Sequence, residues 1–149
     1  MEAKLWSTGL ALVFLAASVP AAATLGEDAS SVSADQAQLQ ATLEIAAAAK
    51  FAVHRLQLPS GTVVKEYVSP AGMVFAVSWQ GPSIPDLRQV LGRYFETYVG
   101  ALKRQGASAV HTIQQPPLVV QTGGHMRAYF GRAYVPPMLP RGVSAEEIQ

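Results

Sequence analysis

Hydrophobic residues recur with two different periods along the chain, and the period changes near Phe51. Between Ser33 and Lys50, apolar side chains return every three or four positions, which is the spacing of one helix face. Ser33 and Gln36 have the spacing of a helix capping box. The pattern therefore predicts a first helix through DQAQLQATLEIAAAAK, with a thin apolar stripe that suits the edge of a larger body.

From Phe51 onward, apolar and polar residues alternate, which is typical of β-strands. Three β-rich runs, FAVHRLQL, TVVKEYV and MVFAVSWQ, are separated by the turn-forming stretches PSG and SPAG. Turns this short cannot hold a crossover helix, so the three runs predict an antiparallel meander. The third run is the most apolar, and we expect it to lie at the centre of the sheet.

The next segment, GPSIPDLRQVLGRYFETYVGALKRQG, returns to the helical period. Ser83 and Asp86 have capping-box spacing, and Gly106 can close the C-terminal end. The segment predicts one long helix whose apolar and aromatic stripe covers a face of the sheet. That stripe consists of Leu87, Val90, Leu91, Tyr94, Phe95, Tyr98 and Leu102.

A linker and a hairpin are predicted after this helix. The stretch ASAVHTIQQPP is assigned to the linker. The runs LVVQT and HMRAYFGRAYV have strand composition, and the pair Gly123-Gly124 between them has the spacing of a two-residue hairpin turn. The stretch PPMLPRG then ends regular structure, and Ser144 can open a last short helix.

Together these elements predict an α+β fold with an antiparallel sheet of about five strands, formed by the three-stranded meander and the C-terminal hairpin. Two helices are expected to pack on one face, which leaves the other face to solvent or a partner. The predicted organisation is a flexible leader over 24–32, a single α+β domain over 33–138, and a C-terminal tail over 139–149.

The N-terminal 23 residues indicate export. One Lys in a short polar start precedes an apolar run from Leu10 to Val19, and Pro20 and small residues follow, as in a secretory signal peptide. Ala21 and Ala23 satisfy the small-x-small rule for signal cleavage. The sequence therefore predicts a signal peptide over 1–23 that is cleaved after Ala23.

A membrane anchor is the alternative interpretation of this apolar run. The run has about half of the roughly 20 residues needed to span a bilayer, and no basic residue follows to stop transfer. No Cys stands after the cleavage point to accept a lipid. We therefore expect a periplasmic or secreted protein with no transmembrane segment after signal cleavage.

Composition narrows the chemistry that the mature chain can perform. The chain has no Cys, which excludes disulfides, thiol nucleophiles and Cys-ligated metal sites. Its 11 Lys and Arg and 10 Asp and Glu become ten and nine once Lys4 and Glu2 are removed with the signal peptide. This near-neutral balance lacks the concentrated positive charge that nucleic acids require, so no nucleic-acid partner is expected.

The stretch QTGGHMRAYFGRAY contains the main candidate binding residues. In an extended strand, His125, Arg127 and Tyr129 share one side, and Arg132 points to the other. These side chains could recognise an anionic group, although an amphipathic strand with its polar side in water has the same pattern. Trp79, near the end of a strand, could line a ligand cleft or serve as a core anchor at the rim of the sheet.

No assembled catalytic or metal motif is present in the sequence. The three His residues do not have the spacing of a helix-borne zinc pair, and GxSxG is absent. A carboxylate pair for glycoside hydrolysis would have to come from Glu66, Asp86 and Glu96. Asp86 is more simply a helix cap, and Glu96 is more simply a solvated helix residue. We predict no catalytic residue, no metal and no cofactor.

Four phrases of the chain occur in a specific order: GTVVKEYVSPAGMVFAVSWQGP, PDLRQVLGRYF, LVVQTGGHMRAYFGRAYVP and LPRGVSAEEIQ. As a set, they resemble a family of short exported proteobacterial proteins that is classified only as a domain of unknown function. The resemblance covers nearly all of the mature chain. It implies a single-domain periplasmic or secreted protein, and it supplies no activity, cofactor or catalytic residue.

These observations favour a non-enzymatic binding or interaction module of the bacterial cell envelope, whose partner is a polypeptide or an envelope component. The alternative is a small enzyme or small-ligand carrier that uses His125 and Arg127 on an anionic ligand. A structural or chaperone-like role is a third hypothesis, which the low charge permits.

Overall fold

A seven-stranded antiparallel sheet organises the chain in the computed structural model, which describes residues 25–106, 108 and 110–149. The signal peptide predicted for 1–23 lies outside the described residues. The strands are ordered β1-β2-β3-β4-β7-β6-β5 across the sheet. Their bounds are β1 Thr42–Ala47, β2 Ala52–Gln57, β3 Val63–Val68, β4 Val74–Gly81, β5 Val110–Gln115, β6 Leu118–His125 and β7 Ala128–Tyr134. The helices are α1 Val32–Gln38, α2 Leu87–Leu91 and α3 Phe95–Gln105.

The predicted meander is confirmed as β2, β3 and β4, which pair antiparallel in sequence order. Strand β4 is the fourth of the seven, and its residues from Val74 to Trp79 are all buried. A strand that is apolar on both sides must be covered on both sides, which explains why the most hydrophobic run takes the central position.

The sheet has seven strands where the sequence predicted about five, because two segments were assigned to other structures. The first helix ends at Gln38, and the stretch TLEIAA, predicted as its continuation, forms β1. The stretch VHTIQQ, predicted as a linker, forms β5. Both pair along an edge of the sheet, where main-chain hydrogen bonds to a neighbouring strand outweigh the intrinsic preference of the segment.

The second helix is broken where the sequence predicted one continuous helix. Asp86 caps α2 as predicted, since its carboxylate accepts hydrogen bonds from the main-chain N–H groups of Arg88 and Gln89. Gly92 then takes a φ of 48°, which ends α2 and begins a 3₁₀ turn that leads into α3. The break lets the chain change direction while Leu91 and Tyr98 both stay buried on the sheet.

The hairpin turn lies three residues later than predicted. Strands β6 and β7 are joined at Met126 and Arg127, and Arg127 has a φ of 66°. Gly123 and Gly124 lie within β6 instead. A Cβ at Gly123 would be 2.7 Å from the Phe130 ring, and one at Gly124 would be 2.4 Å from a main-chain oxygen. These glycines are therefore required for close approach and not for a turn.

The main hydrophobic core lies between the helices and one face of the sheet, which we call the helix face. There, Val90, Leu91 and Tyr98 from the helices pack with residues such as Val77 and Leu56 from the strands. The helices thus lie on one face, as predicted. The segment 24–32 was predicted as a flexible leader, but its described part reaches this core, because Leu25 is fully buried there.

A smaller cluster covers part of the opposite face, which we call the tail face. Tyr67, Phe75 and Ala76 from the sheet pack there against Ile148. Residues 136–138 and 145–147 form single 3₁₀ turns, and a capping box between Ser144 and Glu147 stabilises the N-terminal end of the second turn. The segment predicted as a C-terminal tail therefore lies on the sheet. The face that the sequence left to solvent is partly covered.

Candidate functional site

Strand register places a row of polar side chains across the tail face. Side chains of adjacent strands that are paired in register point to the same face, so one residue from each strand contributes. Most of the row is polar and uncharged or basic, and its single acid lies at the outer edge. In strand order, the row is Glu44, Arg55, Lys65, Ser78, Arg132, Gln121 and Thr112.

A cavity of about 670 Å³ lies along this row, between the sheet and the end of the C-terminal segment. Three basic residues and no acidic residue line it within the described chain. Polar amides and apolar side chains form the rest of its wall. The lining residues are Arg55, Val63, Lys65, Ser78, Trp79, Gln80, Gln121, Phe130, Gly131, Arg132, Ile148 and Gln149.

Arg132 is fixed in place by neutral acceptors. Its Nε donates to Oε1 of Gln121 at 2.7 Å, and its Nη1 donates to the main-chain oxygens of Ala145 at 2.6 Å and Ile148 at 3.2 Å. The hydrogen bonds described for this guanidinium come from Nε and Nη1 alone, so Nη2 remains available to a ligand. A half-buried, oriented guanidinium is well suited to bind a carboxylate or phosphate.

Lys65 and Arg55 complete the basic lining. The Nζ of Lys65 donates to the main-chain oxygen of Gln149 at 2.8 Å. Arg55 forms an exposed ion pair with Glu44 at 3.3 Å, which contributes little because water screens both groups. Neither Lys65 nor Arg132 forms an ion pair with a carboxylate in the described part of the chain. Exposed Glu146 on the C-terminal segment interacts electrostatically with Arg132 without a direct ion pair, so the lining itself remains basic.

An apolar surface lies beside these charges. The Phe130 side chain is 52% exposed, which is unusual for a ring of this size, and Val63 and Ile148 extend the apolar wall. The site therefore combines charge with hydrophobic area, as small-molecule sites usually do.

Of the residues that the sequence proposed for binding, Arg132 and Trp79 line this cavity. Trp79 is 3% exposed, and its ring lies against Gly131 so closely that a Cβ there would be 2.2 Å from Cζ2. Tyr129 and Trp79 also border a second cavity of about 240 Å³. His125 is exposed at the end of β6 and lines neither cavity.

Arg127 lies in the exposed turn between β6 and β7 and lines neither cavity. The common strip of His125, Arg127 and Tyr129 is not formed, because Arg127 turns the chain. Register places His125 with Gly123 on the tail face, whereas Tyr129 lies with Gly131 on the helix face.

Lys65, Arg55 and the C-terminal segment were missed as parts of the site. The alternation within FAVHRLQL and TVVKEYV places each basic residue on the polar side of its own strand. Pairing of β2 with β3 is what brings Arg55 opposite Lys65, and pairing of β4 with β7 brings Arg132 beside Ser78. Alternation together with the short turn between β2 and β3 could have indicated that Arg55 and Lys65 share a face. The pairing of β4 with β7 is long-range, and no local pattern indicates it.

A different polar cluster is buried on the helix face. Glu66 of β3 and Asp35 of α1 are 2% and 1% exposed, and Asp35 also accepts a hydrogen bond from Nε2 of Gln89. Burial, followed by the hydrogen bond and negative charge of Asp35, raises the pKa of Glu66 from 4.5 to about 9. The pair therefore holds a proton at neutral pH.

His54 lies opposite Glu66 in the register of β2 and β3. Burial lowers the pKa of His54, which favours the neutral ring beside these carboxyls. His54 Nδ1 and Glu66 Oε2 have no hydrogen-bond partner within the described residues. The sequence considered Glu66 together with Asp86 or Glu96, but its carboxyl neighbour is Asp35. Because both carboxyls are almost inaccessible, the pair is suited to a structural role.

The described residues contain neither a cluster of metal-binding side chains nor a helix that could span a membrane. No group of three or more His, Asp or Glu side chains in residues 25–106, 108 and 110–149 could hold a metal ion. In the same ranges, no helix has the length and apolar character needed to cross a membrane.

The comparison with protein families gives one match. A family model described as "Protein of unknown function (DUF2844)" matches residues 21–148. Searches of curated proteins and of solved structures found no match. The resemblance to a family of unknown function that the sequence phrases indicated is confirmed. With nearly all of its length after the predicted signal peptide covered, the chain belongs to the DUF2844 family.

Proposed function

We propose that this protein is an exported, non-enzymatic binding module of the bacterial cell envelope that holds an anionic molecule with an apolar part in the tail-face cavity. The observation that carries the proposal is a lining with three basic residues and no acidic one, beside exposed Phe130. A volume of about 670 Å³ matches the size of small-molecule sites.

The arrangement supplies affinity and orientation from separate parts of the wall. Lys65 and Arg132 can give charge-assisted hydrogen bonds to an acidic head group. Phe130 and Val63 of the sheet offer the apolar area against which the remainder of the ligand can pack. An amphipathic anion uses both parts, whereas a small inorganic anion would use only the first.

The environment of Ser78, whose hydroxyl lines the cavity, favours binding without catalysis. Within the described residues, the hydrogen-bond partner of Ser78 Oγ is the Tyr67 hydroxyl at 3.3 Å. Activation of Ser78 as a nucleophile would require an imidazole or a carboxylate in that position. The alternative that relies on His125 and Arg127 would place chemistry at an exposed turn outside both cavities. The cavity is therefore the better-supported site.

Octanoate and 1-octanol form a matched pair of probes, because they differ in the charged head group alone. Trp79 is the one Trp of residues 24–149, so its fluorescence reports on the lining of the cavity. We expect octanoate to change this fluorescence and to raise the melting temperature, and octanol to act much more weakly. A ligand at 100 times its Kd adds about 2.7 kcal/mol to the free energy of unfolding.

Lys65→Gln is the informative variant. Its matched control is Lys103→Gln, at an exposed position of helix α3. Lys65→Gln should weaken octanoate binding about tenfold, since one charge-assisted hydrogen bond contributes roughly 1.5 kcal/mol. Lys103→Gln should bind like the parent chain. Equal affinity for octanoate and octanol, or equal affinity of both variants, would contradict the proposal.

The proposed location is the periplasm or the exterior of a proteobacterial cell, and the support is the signal peptide pattern of residues 1–23. N-terminal sequencing of the protein from an envelope or culture fraction should begin at Thr24. Recovery of a chain that still begins at Met1 would count against export by cleavage.

A further inference from the structure

Three basic side chains hold the C-terminal segment on the tail face by its main-chain oxygens. Lys50 donates to Gly142, Lys65 to Gln149, and Arg132 to both Ala145 and Ile148. Gly142, Ala145 and Ile148 accept through neutral peptide carbonyl groups. No side-chain carboxylate forms an ion pair with Lys50, Lys65 or Arg132 in the described structure.

Tyr67 and several apolar side chains complete the attachment. The Tyr67 hydroxyl donates to the main-chain oxygen of Gln149 at 2.6 Å and lies 2.8 Å from its N–H, which can donate in return. Ile148 is 1% exposed and packs with Tyr67 and Phe75, and Leu139 and Val143 pack partly buried against the same cluster. The end of the segment thus depends on one buried side chain and a few hydrogen bonds, which is the profile of a locally releasable element.

Two of the cations that hold the segment also carry the charge of the cavity. A hydrogen bond from an ammonium or guanidinium to an anionic oxygen is stronger than one to a neutral carbonyl. An anionic head group that reaches Lys65 and Arg132 therefore competes directly with Gln149, Ala145 and Ile148 for the same N–H donors.

We propose that residues 139–149 form a strap that competes with an anionic ligand for the Lys65 and Arg132 donors and moves off the sheet when the ligand binds. This inference rests on the proposed function, because it concerns the regulation of the same cavity. Release of the strap also frees the apolar surface of Tyr67 and Phe75 beside the cavity, which enlarges the area available to the apolar part of a ligand.

Competition of this kind lowers the apparent affinity by the fraction of molecules in which the strap is free. Removing residues 144–149 should therefore tighten octanoate binding at least fivefold in titration calorimetry. In the full chain, octanoate should increase amide hydrogen exchange across 143–149 while leaving β4 protected.

Tyr67→Phe is a second variant that does not depend on a shortened chain folding. It removes the hydroxyl that contacts Gln149 and leaves Lys65 and Arg132 intact, so it should also tighten octanoate binding, by about twofold to fivefold. Tyr134→Phe on the same face is its matched control, since no hydrogen bond is described for that hydroxyl, and its affinity should equal that of the parent chain.

The outcomes separate the two proposals. Weaker or unchanged binding in the shortened chain and in Tyr67→Phe, with normal binding in the full chain, would show that the strap is a fixed wall and would overturn this inference alone. Failure of octanoate to bind any of the chains would overturn the proposed function and the strap with it.

Discussion

The two faces of the sheet bury charge in opposite ways. On the helix face, the carboxyl groups of Asp35 and Glu66 lie in the interior next to each other, and Asp35 accepts a hydrogen bond from Gln89. On the tail face, Lys65 and Arg132 are half-buried beside a cavity, and main-chain oxygens of the C-terminal segment accept their hydrogen bonds.

This difference separates a structural use of charge from one that suits recognition. A buried carboxyl pair can avoid the cost of two adjacent negative charges by keeping a proton, so it needs no ligand. A half-buried ammonium and guanidinium beside a cavity can form charge-assisted hydrogen bonds to an anion supplied from outside. The comparison therefore supports the tail face as the location of the proposed binding site.

The largest difference in the free energy of unfolding should come from truncating one buried apolar side chain on each face. Leu91→Ala on the helix face should lower the free energy of unfolding by about 3 kcal/mol, because it leaves a cavity in the main core. Ile148→Ala on the tail face should lower it by only about 1 kcal/mol, because loss of this anchor releases the strap locally.

Urea unfolding followed by Trp79 fluorescence measures both values, and hydrogen exchange of residues 139–149 distinguishes local from global opening. Equal costs for the two variants would show that the segment belongs to the main cooperative unit, which would weaken the contrast between the faces.

Protonation of the helix-face carboxyls gives the next largest effect. Because the pKa of Glu66 rises from 4.5 to about 9 on folding, the unfolded chain releases a proton over a range in which the folded chain retains it. The free energy of unfolding should therefore be highest below about pH 4.5 with respect to this group and should fall as the pH rises toward 9.

Glu66→Gln should remove this slope and raise the free energy of unfolding at pH 8 by on the order of 2 kcal/mol. Denaturant titrations at pH 5 and pH 8 test this, and the exposed Glu96→Gln serves as the control that keeps the slope. A parent chain that is equally stable at both pH values would argue against the buried, proton-sharing pair.

The smallest effect is expected at the edge of the polar row. Glu44→Gln removes the carboxylate that pairs with Arg55, and stability should change by less than about 0.5 kcal/mol because the pair is exposed. Octanoate affinity should rise about twofold, since Arg55 loses its competing anion. Titration calorimetry at low salt measures this change, and a decrease in affinity would contradict the assigned role of the row.

Local sequence patterns correctly predicted the strands and the helix cap whose structure depends on their own side chains. Strands β2 to β4, the central position of β4 and the cap at Asp86 follow from alternation, turn composition and the chemistry of one carboxylate. The edge strands were missed because β1 has few buried side chains and depends on main-chain pairing with β2, which no periodicity records.

The site was only partly predictable for a similar reason. Arg132 and Trp79 could be proposed from one strand and one strand end, but Lys65 joins Arg132 through the pairing of β3, β4 and β7. The turn predicted at Gly123 and Gly124 was wrong, because Gly123 accommodates the Phe130 ring within a strand. The turn is formed with Arg127 at a positive φ instead. Long-range contacts decide both cases, and the local sequence does not contain them.

The short outer strands also bear on the solubility of a chain without disulfides. Strands β1 and β5 each have one neighbour in the sheet and are six residues long. Few main-chain groups are therefore open to a foreign strand, and Glu44 adds a charge beside one of these edges. The short length of both edge strands limits edge-to-edge aggregation, even though the sheet is wide and has two open edges.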